Sequence, residues 1–332
     1  MQRVMRNGGS ILAPLVLAIL LLSAAASART QFARSDLDQT ESPTDPQLAQ
    51  AYQYWRAGQM DRAVALVSPL ATQGNAVAQF LMGQFYSTGE GLPENDEQAL
   101  QWWRKAAEQG LAQAQNELAV ALTDGRGTTA DPTQAVEWYS KAASQGLAVA
   151  QVNLGLMYLN GLGGLRQDDG VAVGYFRKAA DQGLGWAQYY MGVACFEGRG
   201  VRRNATQAAA WYRKAAEQGY VDAEYALGML YSGSGGVDPD YGIAVHWFAL
   251  AAQQGNQPAV DAAQLIVPTL TRVRPRAGLA IRSTPDAAAS TVETADGREY
   301  AYILHSARDW LEVYLQDGHK LGYISTAELR GK

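Results

Sequence analysis

Six glycines stand at positions 74, 110, 146, 183, 219 and 255, separated by 36, 36, 37, 36 and 36 residues. Each closes a similar string. WWRKAAEQG ends at Gly110, WYSKAASQG at Gly146, YFRKAADQG at Gly183, WYRKAAEQG at Gly219 and HWFALAAQQG at Gly255, with a fainter LVSPLATQG at Gly74. A fixed period of this length requires a stacked-repeat architecture, because one such unit is too small to bury its own apolar face and must lean on its neighbours.

The unit between Gly183 and Gly219 reads LGWAQYYMGVACFEGRGVRRNATQAAAWYRKAAEQG. Two stretches of apolar period near 3.6 flank the glycine-rich EGRG, which predicts two antiparallel helices joined by a turn. In the first helix Ala187, Met191 and Ala194 or Cys195 share a face, as do Ala150, Leu154 and Tyr158, or Ala223, Leu227 and Tyr231, and this stripe is expected to face the core. Beside it runs a row of small residues, Gly83, Ala119, Gly155, Gly192 and Gly228. Mid-helix glycine costs about 1 kcal/mol relative to alanine, so its recurrence at one register implies a close helix approach. The second helix offers Ala99, Ala135, Ala172, Ala208 and Ala244, each followed three residues on by Trp102, Trp138, Tyr175, Trp211 or Trp247, which are expected to be the large partners in the core. The closing glycine is then the helix stop, free to take positive φ.

At this point the chain resembles the Sel1-like repeat family, a group related to the tetratricopeptide repeats. The pattern A-x-x-x-L-G-x-x-Y-x-x-G-x-G-V followed by A-x-x-W-Y-x-x-A-A-x-x-G runs from Ala78 through Gly83 and Tyr86 to Gly110, and again in four later units. Residues 46–74 read as a degenerate first unit, and 256–271 as one more helix to about Val267, ended by Pro268 and capping the array. The resemblance implies an all-α right-handed solenoid of helix pairs over residues 46–271 that scaffolds protein complexes.

From Arg272 the helical period gives way to short alternating or β-branched runs, LAIRSTP, TVETADG, REYAYIL, DWLEVYL and KLGYIST, with turns at Thr284-Pro285, Asp296-Gly297 and Asp317-Gly318. Five or six strands in so short a segment predict a small all-β barrel over 272–332. Ile281, Arg282, Ser283 and Pro285, then Trp310 and Val313, then Gly322, Tyr323, Ile324 and Leu329 resemble a bacterial SH3-like domain, with Tyr323 where that pattern carries Trp. That resemblance implies peptide or peptidoglycan binding through a surface around Trp310 and Tyr323. Arg272, Arg274 and Arg276 read as exposed linker charge.

At the other end, Arg3 and Arg6 precede an apolar run from Ile11 to Leu22, and Ala26 and Ala28 supply an A-x-A-like site. Residues 1–28 thus read as a secretory signal, too short in its apolar part for the roughly 20 residues of a membrane span. Residues 29–45 read as a flexible segment, and after cleavage no span is expected. The single cysteine, Cys195, lies far from the signal, which argues against a lipoprotein and leaves no disulfide framework. The expected location is periplasmic or secreted. Residues 29–271 carry 16 Lys and Arg against 24 Asp and Glu, a balance of −8, so nucleic acid is not an expected partner.

Catalytic signatures are missing from the sequence. His246, His305 and His319 have no ligand spacing to one another or to Cys195, and there is no nucleophile elbow, P-loop or dinucleotide fingerprint. No enzyme activity, cofactor or metal is therefore expected. Asp168 and Asp169 read as a helix start, and Cys195 as a core residue in the place of Tyr86, Tyr158 and Tyr231.

What remains is a binding surface. By analogy with tetratricopeptide arrays, the first helix of each pair lines a concave groove, through the stripe next to the core stripe. That stripe is Trp186, Tyr189, Val193 and Phe196 in the fifth unit, Val149, Val152, Leu156 and Leu159 in the fourth, and Asp222, Tyr225, Met229 and Ser232 in the sixth. Two readings stand side by side, a core covered by the next repeat and an apolar groove for a protein segment. The function expected is an exported, non-catalytic adaptor with a protein partner in the bacterial envelope. The alternative is a peptidoglycan-targeting protein whose solenoid is a spacer.

Overall fold

The computed structural model describes residues 45–307, 309–315 and 319–330. The expected secretory signal, nearly all of the expected 29–45 segment and the expected Asp317-Gly318 turn lie outside the described residues. Two compact units divide at Asp168/Asp169.

The first unit holds α1 (Pro46–Arg56), α2 (Met60–Thr72), α3 (Ala76–Thr88), α4 (Asp96–Glu108), α5 (Ala112–Asp124), α6 (Pro132–Ser144) and α7 (Ala148–Asn160). Consecutive helices pack against each other, α1 and α2 forming a helix pair ahead of α3. Helix starts are set by side chains accepting from the first free N–H groups. Asn75 accepts from the Ala78 amide at 3.0 Å and Asn95 from the Gln98 amide at 3.0 Å. The ends are set by the closing glycines, whose φ is 96° at both Gly74 and Gly110.

The second unit holds α8 (Asp169–Asp181), α9 (Gly185–Glu197), α10 (Ala205–Ala216), α11 (Val221–Met229, extended by a π turn over Leu230–Ser234), α12 (Tyr241–Gln253) and α13 (Gln257–Ile266). Its strands are β1 (Arg272–Val273), β2 (Ala280–Arg282), β3 (Thr291–Thr294), β4 (Ala301–Ala307), β5 (Trp310–Leu315) and β6 (Lys320–Ser325), and α14 (Thr326–Leu329) follows.

The small-residue row lies where the sequence puts it, as does the core stripe except at Tyr158 and Tyr231, which are half-buried, but the aromatic anchor is one residue further on. Trp103, Tyr139, Phe176, Tyr212 and Phe248 are the buried rings, between 0 and 4% exposed. A Cβ at Gly83, Gly192 or Gly228 would collide with Trp103, Tyr212 or Phe248 respectively. The preceding aromatics are half-buried. Four of them instead lie under a lysine three residues on, with Lys105 Nζ 4.2 Å from the Trp102 ring, Lys141 3.7 Å from Trp138, Lys178 5.3 Å from Tyr175 and Lys214 4.3 Å from Trp211. Helical geometry explains the shift. A residue four positions after Ala99 lies 40° from it around the axis and one three positions after lies 60° away on the other side, and the buried Ala106 and Ala107 centre the face nearer the former.

The glutamine before each closing glycine has a second role. In the first unit Gln79 Nε2 donates to the Ala71 carbonyl at 3.2 Å and Gln109 Nε2 to Gln79 Oε1 at 2.7 Å. Gln115 and Gln145 repeat this with Ala107 at 3.2 Å and 2.8 Å, and in the second unit Gln188 and Gln218 do so with Ala180 at 3.4 Å and 2.8 Å. Each amide pair joins a repeat's two helices to the end of the helix before, and so satisfies polar groups inside the stack. In the sixth repeat Glu224 takes the glutamine's place, accepting from Gln254 Nε2 at 3.1 and 3.0 Å.

The C-terminal strands do not close into the expected SH3-like barrel. They form one sheet of order β1-β4-β5-β6-β2-β3, in which the edge strands β1 and β3 are not paired with each other. The reason is local. β1 is two residues long and Pro275, which has no N–H to offer, follows it, while β3 is exposed at three of its four residues. Arg272 and Arg276 are exposed, as expected, and Arg272 and Arg274 lie over the Tyr300 ring at 4.2 and 4.4 Å. One sheet face buries Ile281, Leu311, Val313 and Ile324. The other packs on α12, where Tyr314 joins the Val245 and Phe248 cluster and His246 Nδ1 lies 2.7 Å from Glu312 Oε1.

Candidate protein-binding site

The stripe beside the core stripe divides into two classes. Val152, Leu156 and Tyr189 are interior, at 0, 6 and 7% exposure. Trp186, Val193, Phe196, Tyr225 and Met229 are half-buried and reach solvent. Tyr189 is drawn inward because Gly192, one turn on, lets Tyr212 come close. Its ring centroid is 5.7 Å from that of Tyr212 and 5.2 Å from that of Tyr220. Burial drives its hydroxyl well above the usual tyrosine range.

Phe196, at the end of α9, is flanked by Arg203, whose guanidinium lies 5.7 Å from the ring and whose Nε donates to the Phe196 carbonyl at 3.0 Å. Tyr225 leans on Phe248 with ring centroids 5.8 Å apart. Half-exposed apolar side chains are therefore present on both α9 and α11.

Sequence reasoning passed over two neighbours of this surface, Tyr190 and Tyr220, while Asp222 was already placed in the stripe. Tyr190 follows Tyr189 but stacks on Phe176, centroids 5.0 Å apart. Tyr220 takes the position held by Leu111, Leu147 and Leu184 in earlier units, a substitution visible once the repeats are aligned. Asp222 is a half-buried carboxylate in the first turn of α11, raised above the usual aspartate range by burial.

The other residues singled out in the sequence lie elsewhere in the second unit. Cys195 is fully buried, its Sγ donating to Gln207 Oε1 at 3.5 Å, and burial raises the thiol. Trp310 and Tyr323 lie on the sheet face that packs on α12, diagonal neighbours across β5 and β6, and both are half-buried. Asp169 is the first residue of α8 and pairs with Arg199 at 3.1 Å. Among the described residues no group of three or more His, Cys, Asp or Glu is placed to hold a metal ion, and no helix is long and apolar enough to cross a membrane.

The repeats match the Sel1 repeat over residues 76–111, 112–147, 148–184, 187–220 and 221–256, more than half of the chain. A comparison with curated proteins gives no match. Among solved structures, a protective antigen present in uropathogenic Escherichia coli strains, displaying an SLR fold, is 32% identical with a TM-score of 0.62, over 71% of this chain and 51% of that one. This chain thus spans about half the length of that antigen. A Sel1 repeat protein from Oxalobacter formigenes is 30% identical with a TM-score of 0.62, over 68% of this chain and 89% of that one. A solenoid of paired helices is suited to protein–protein interaction. On the evidence of five matched repeats and these two relatives, the chain belongs to the Sel1 repeat family.

Proposed function

We propose that this chain is an exported, non-catalytic adaptor that holds a protein partner on the first-helix surface of its fifth and sixth repeats. The observation that carries this reading is the row of half-exposed apolar side chains Trp186, Val193, Phe196, Tyr225 and Met229, in helices whose core positions are already filled by other residues. Large rings and methionine at a solvent-reaching surface are the side chains from which interface hot spots are built. Arg3, Arg6 and the apolar run after them support export, as does the description of the Escherichia coli relative as a protective antigen.

The test is in-cell crosslinking of the tagged full chain, identification of the captured protein, and measurement of Kd with that protein purified. The double variant Phe196→Ser/Met229→Ser should retain the wild-type circular dichroism spectrum and weaken Kd by at least about tenfold, a loss of about 1.4 kcal/mol. Unchanged affinity would move the interaction off this surface. Purified sacculi serve as the second probe, since the peptidoglycan-targeting alternative rests on the C-terminal sheet around Trp310 and Tyr323. Retention on sacculi that Trp310→Ala abolishes would favour that alternative.

A further inference from the structure

The apolar row on α9 and α11 continues onto α13. That helix starts as the first helix of a repeat does, with Asn256 accepting from the Ala259 amide at 2.9 Å where Asn75 accepts from Ala78 at 3.0 Å. Its buried Ala259, Ala263 and Ile266 stand 36 residues after the buried Ala223, Leu227 and Leu230. α13 is thus the first helix of a seventh unit, and it packs against α11. Leu265 then falls at the register of Met229 and Val193, and regular stacking of the units sets the three in line. Exposure rises along that line. Val193 and Met229 are half-buried, while Leu265, at 68%, is the most exposed large apolar side chain among the described residues.

Charge is divided between the two kinds of helix. α3, α5, α7, α9, α11 and α13 contain no lysine or arginine, whereas α8 and α10 carry Arg177, Lys178, Arg213 and Lys214, all exposed. Cations near the ends of the second helices suit the helix dipole. The dipole also favours Asp222, in the first turn of α11, but not Asp261, which is exposed and lies beyond the first turn of α13. Asp261 accepts from Gln257 Nε2 at 2.9 Å and stands one turn before Leu265, on the same face. Asp222 stands two turns before Met229 in the same way. Arg203 borders the line at its α9 end, beside Phe196. Toward α13 the apolar row is therefore flanked by carboxylates.

We infer that the partner segment held on this surface is a basic amphipathic helix, laid across α9, α11 and α13. Its apolar face meets Val193, Met229 and Leu265, and its lysine or arginine side chains meet Asp222 and Asp261. Packed helices lie about 8–10 Å apart, and positions seven apart on one helix are about 10.5 Å apart along its axis, so a crossing helix can set one apolar anchor on each of the three. The −8 balance of residues 29–271 favours the approach of such a segment. The inference rests on the adaptor reading for the surface and adds the chemistry of its occupant.

The probes are two model helical peptides with the same leucine face, one carrying lysine and the other glutamate at every polar position, titrated into the full chain by fluorescence anisotropy. The lysine peptide should bind at least about tenfold more tightly, and added salt should narrow the gap. Leu265→Ser and Asp261→Asn, both exposed and expected to melt as the wild type does, should each weaken the lysine peptide by about threefold or more. Asp181→Asn, which removes an equal charge from an exposed position on α8, should leave it unchanged. Equal binding of both peptides, no binding, indifference to Leu265→Ser, or an equal loss with Asp181→Asn would each overturn the inference, the last by reducing it to net charge. If these fail while the affinity of the captured partner still depends on Phe196 and Met229, the adaptor surface stands and only its occupant is wrong. If they succeed while that affinity ignores both residues, the adaptor surface fails and the preference of the row for a basic helix remains.

Discussion

Gly192 and Gly174 are both in helix interiors of the second unit, and replacing each with alanine separates backbone propensity from packing. Gly174, in α8, is exposed and an added Cβ would meet nothing within 4 Å. Gly174→Ala should therefore stabilise by about 1 kcal/mol, the propensity difference alone. At Gly192, in α9, the same methyl would overlap the Tyr212 ring, with even its Cγ only 3.0 Å away. Tyr212 has little room to yield, being 1% exposed and packed against Tyr189. Gly192→Ala carries the same backbone gain but overpacks by about 1–3 kcal/mol, so the difference between the two variants isolates the packing term. Urea unfolding followed by circular dichroism measures it. In melting temperature each kcal/mol is worth roughly 2–4 °C for a chain of this size. Adding Tyr212→Leu should shrink the Gly192→Ala penalty, since the two sites share one contact. If Gly192→Ala stabilised as much as Gly174→Ala, the small-residue row would not be a packed contact and the explanation of its period would fail.

Other changes follow from the same geometry. Tyr189→Ser should cost about 3–5 kcal/mol in thermal or urea unfolding, as a truncation of a buried ring. Cys195, buried with its thiol raised, should react slowly with iodoacetamide in the folded chain and fast in denaturant, and rapid stoichiometric labelling of the native protein would refute its burial. Glu224→Gln should restore the amide donor that Gln188 supplies to Ala180, a gain of about 1 kcal/mol at neutral pH. Burial raises the Glu224 carboxyl, against smaller opposing effects of Gln254 and His246. The folded value lies above the unfolded one, so stability tied to the protonated form is present below the unfolded pKa and lost as pH rises through the folded one. The advantage of Glu224→Gln in unfolding midpoint should therefore fade below about pH 4.

Much of the solenoid was legible because its signals are local and repeated. The helix ends, the small-residue row and the alanine faces each follow from spacing along one helix. Which of two adjacent aromatics enters the core is a finer matter, since Trp102 and Trp103 differ by a single helical step and the choice follows from where Ala106 and Ala107 centre the buried face and from the room that Gly83 leaves for Trp103. The C-terminal strands were legible from alternation, but closure was not. It depends on whether β1 and β3 can find each other, and short strands beside a proline carry little record of that. The stripe of the candidate surface follows from helical spacing but its exposure does not, because Tyr189 and Phe196 share a helix face while only Tyr189 has a ring from the next helix drawn against it.

The amide pairs that join successive repeats make the interior of the array interchangeable. Residues 111–146 begin and end at equivalent points. Gln145 reaches back to Gln115 and to the Gly110 carbonyl, as Gln254 reaches back to Glu224 and the Gly219 carbonyl. A duplicate of that segment inserted after Gly146 would meet the same donors and acceptors at both seams, so the gene can lengthen the array by copying one segment. The sixth repeat gives no such freedom. Gly242 lies against the Leu304 carbonyl and His246 against Glu312, so the helix that ends the array is fitted to the sheet that follows, and recombination beyond Gly255 would leave both without their counterpart.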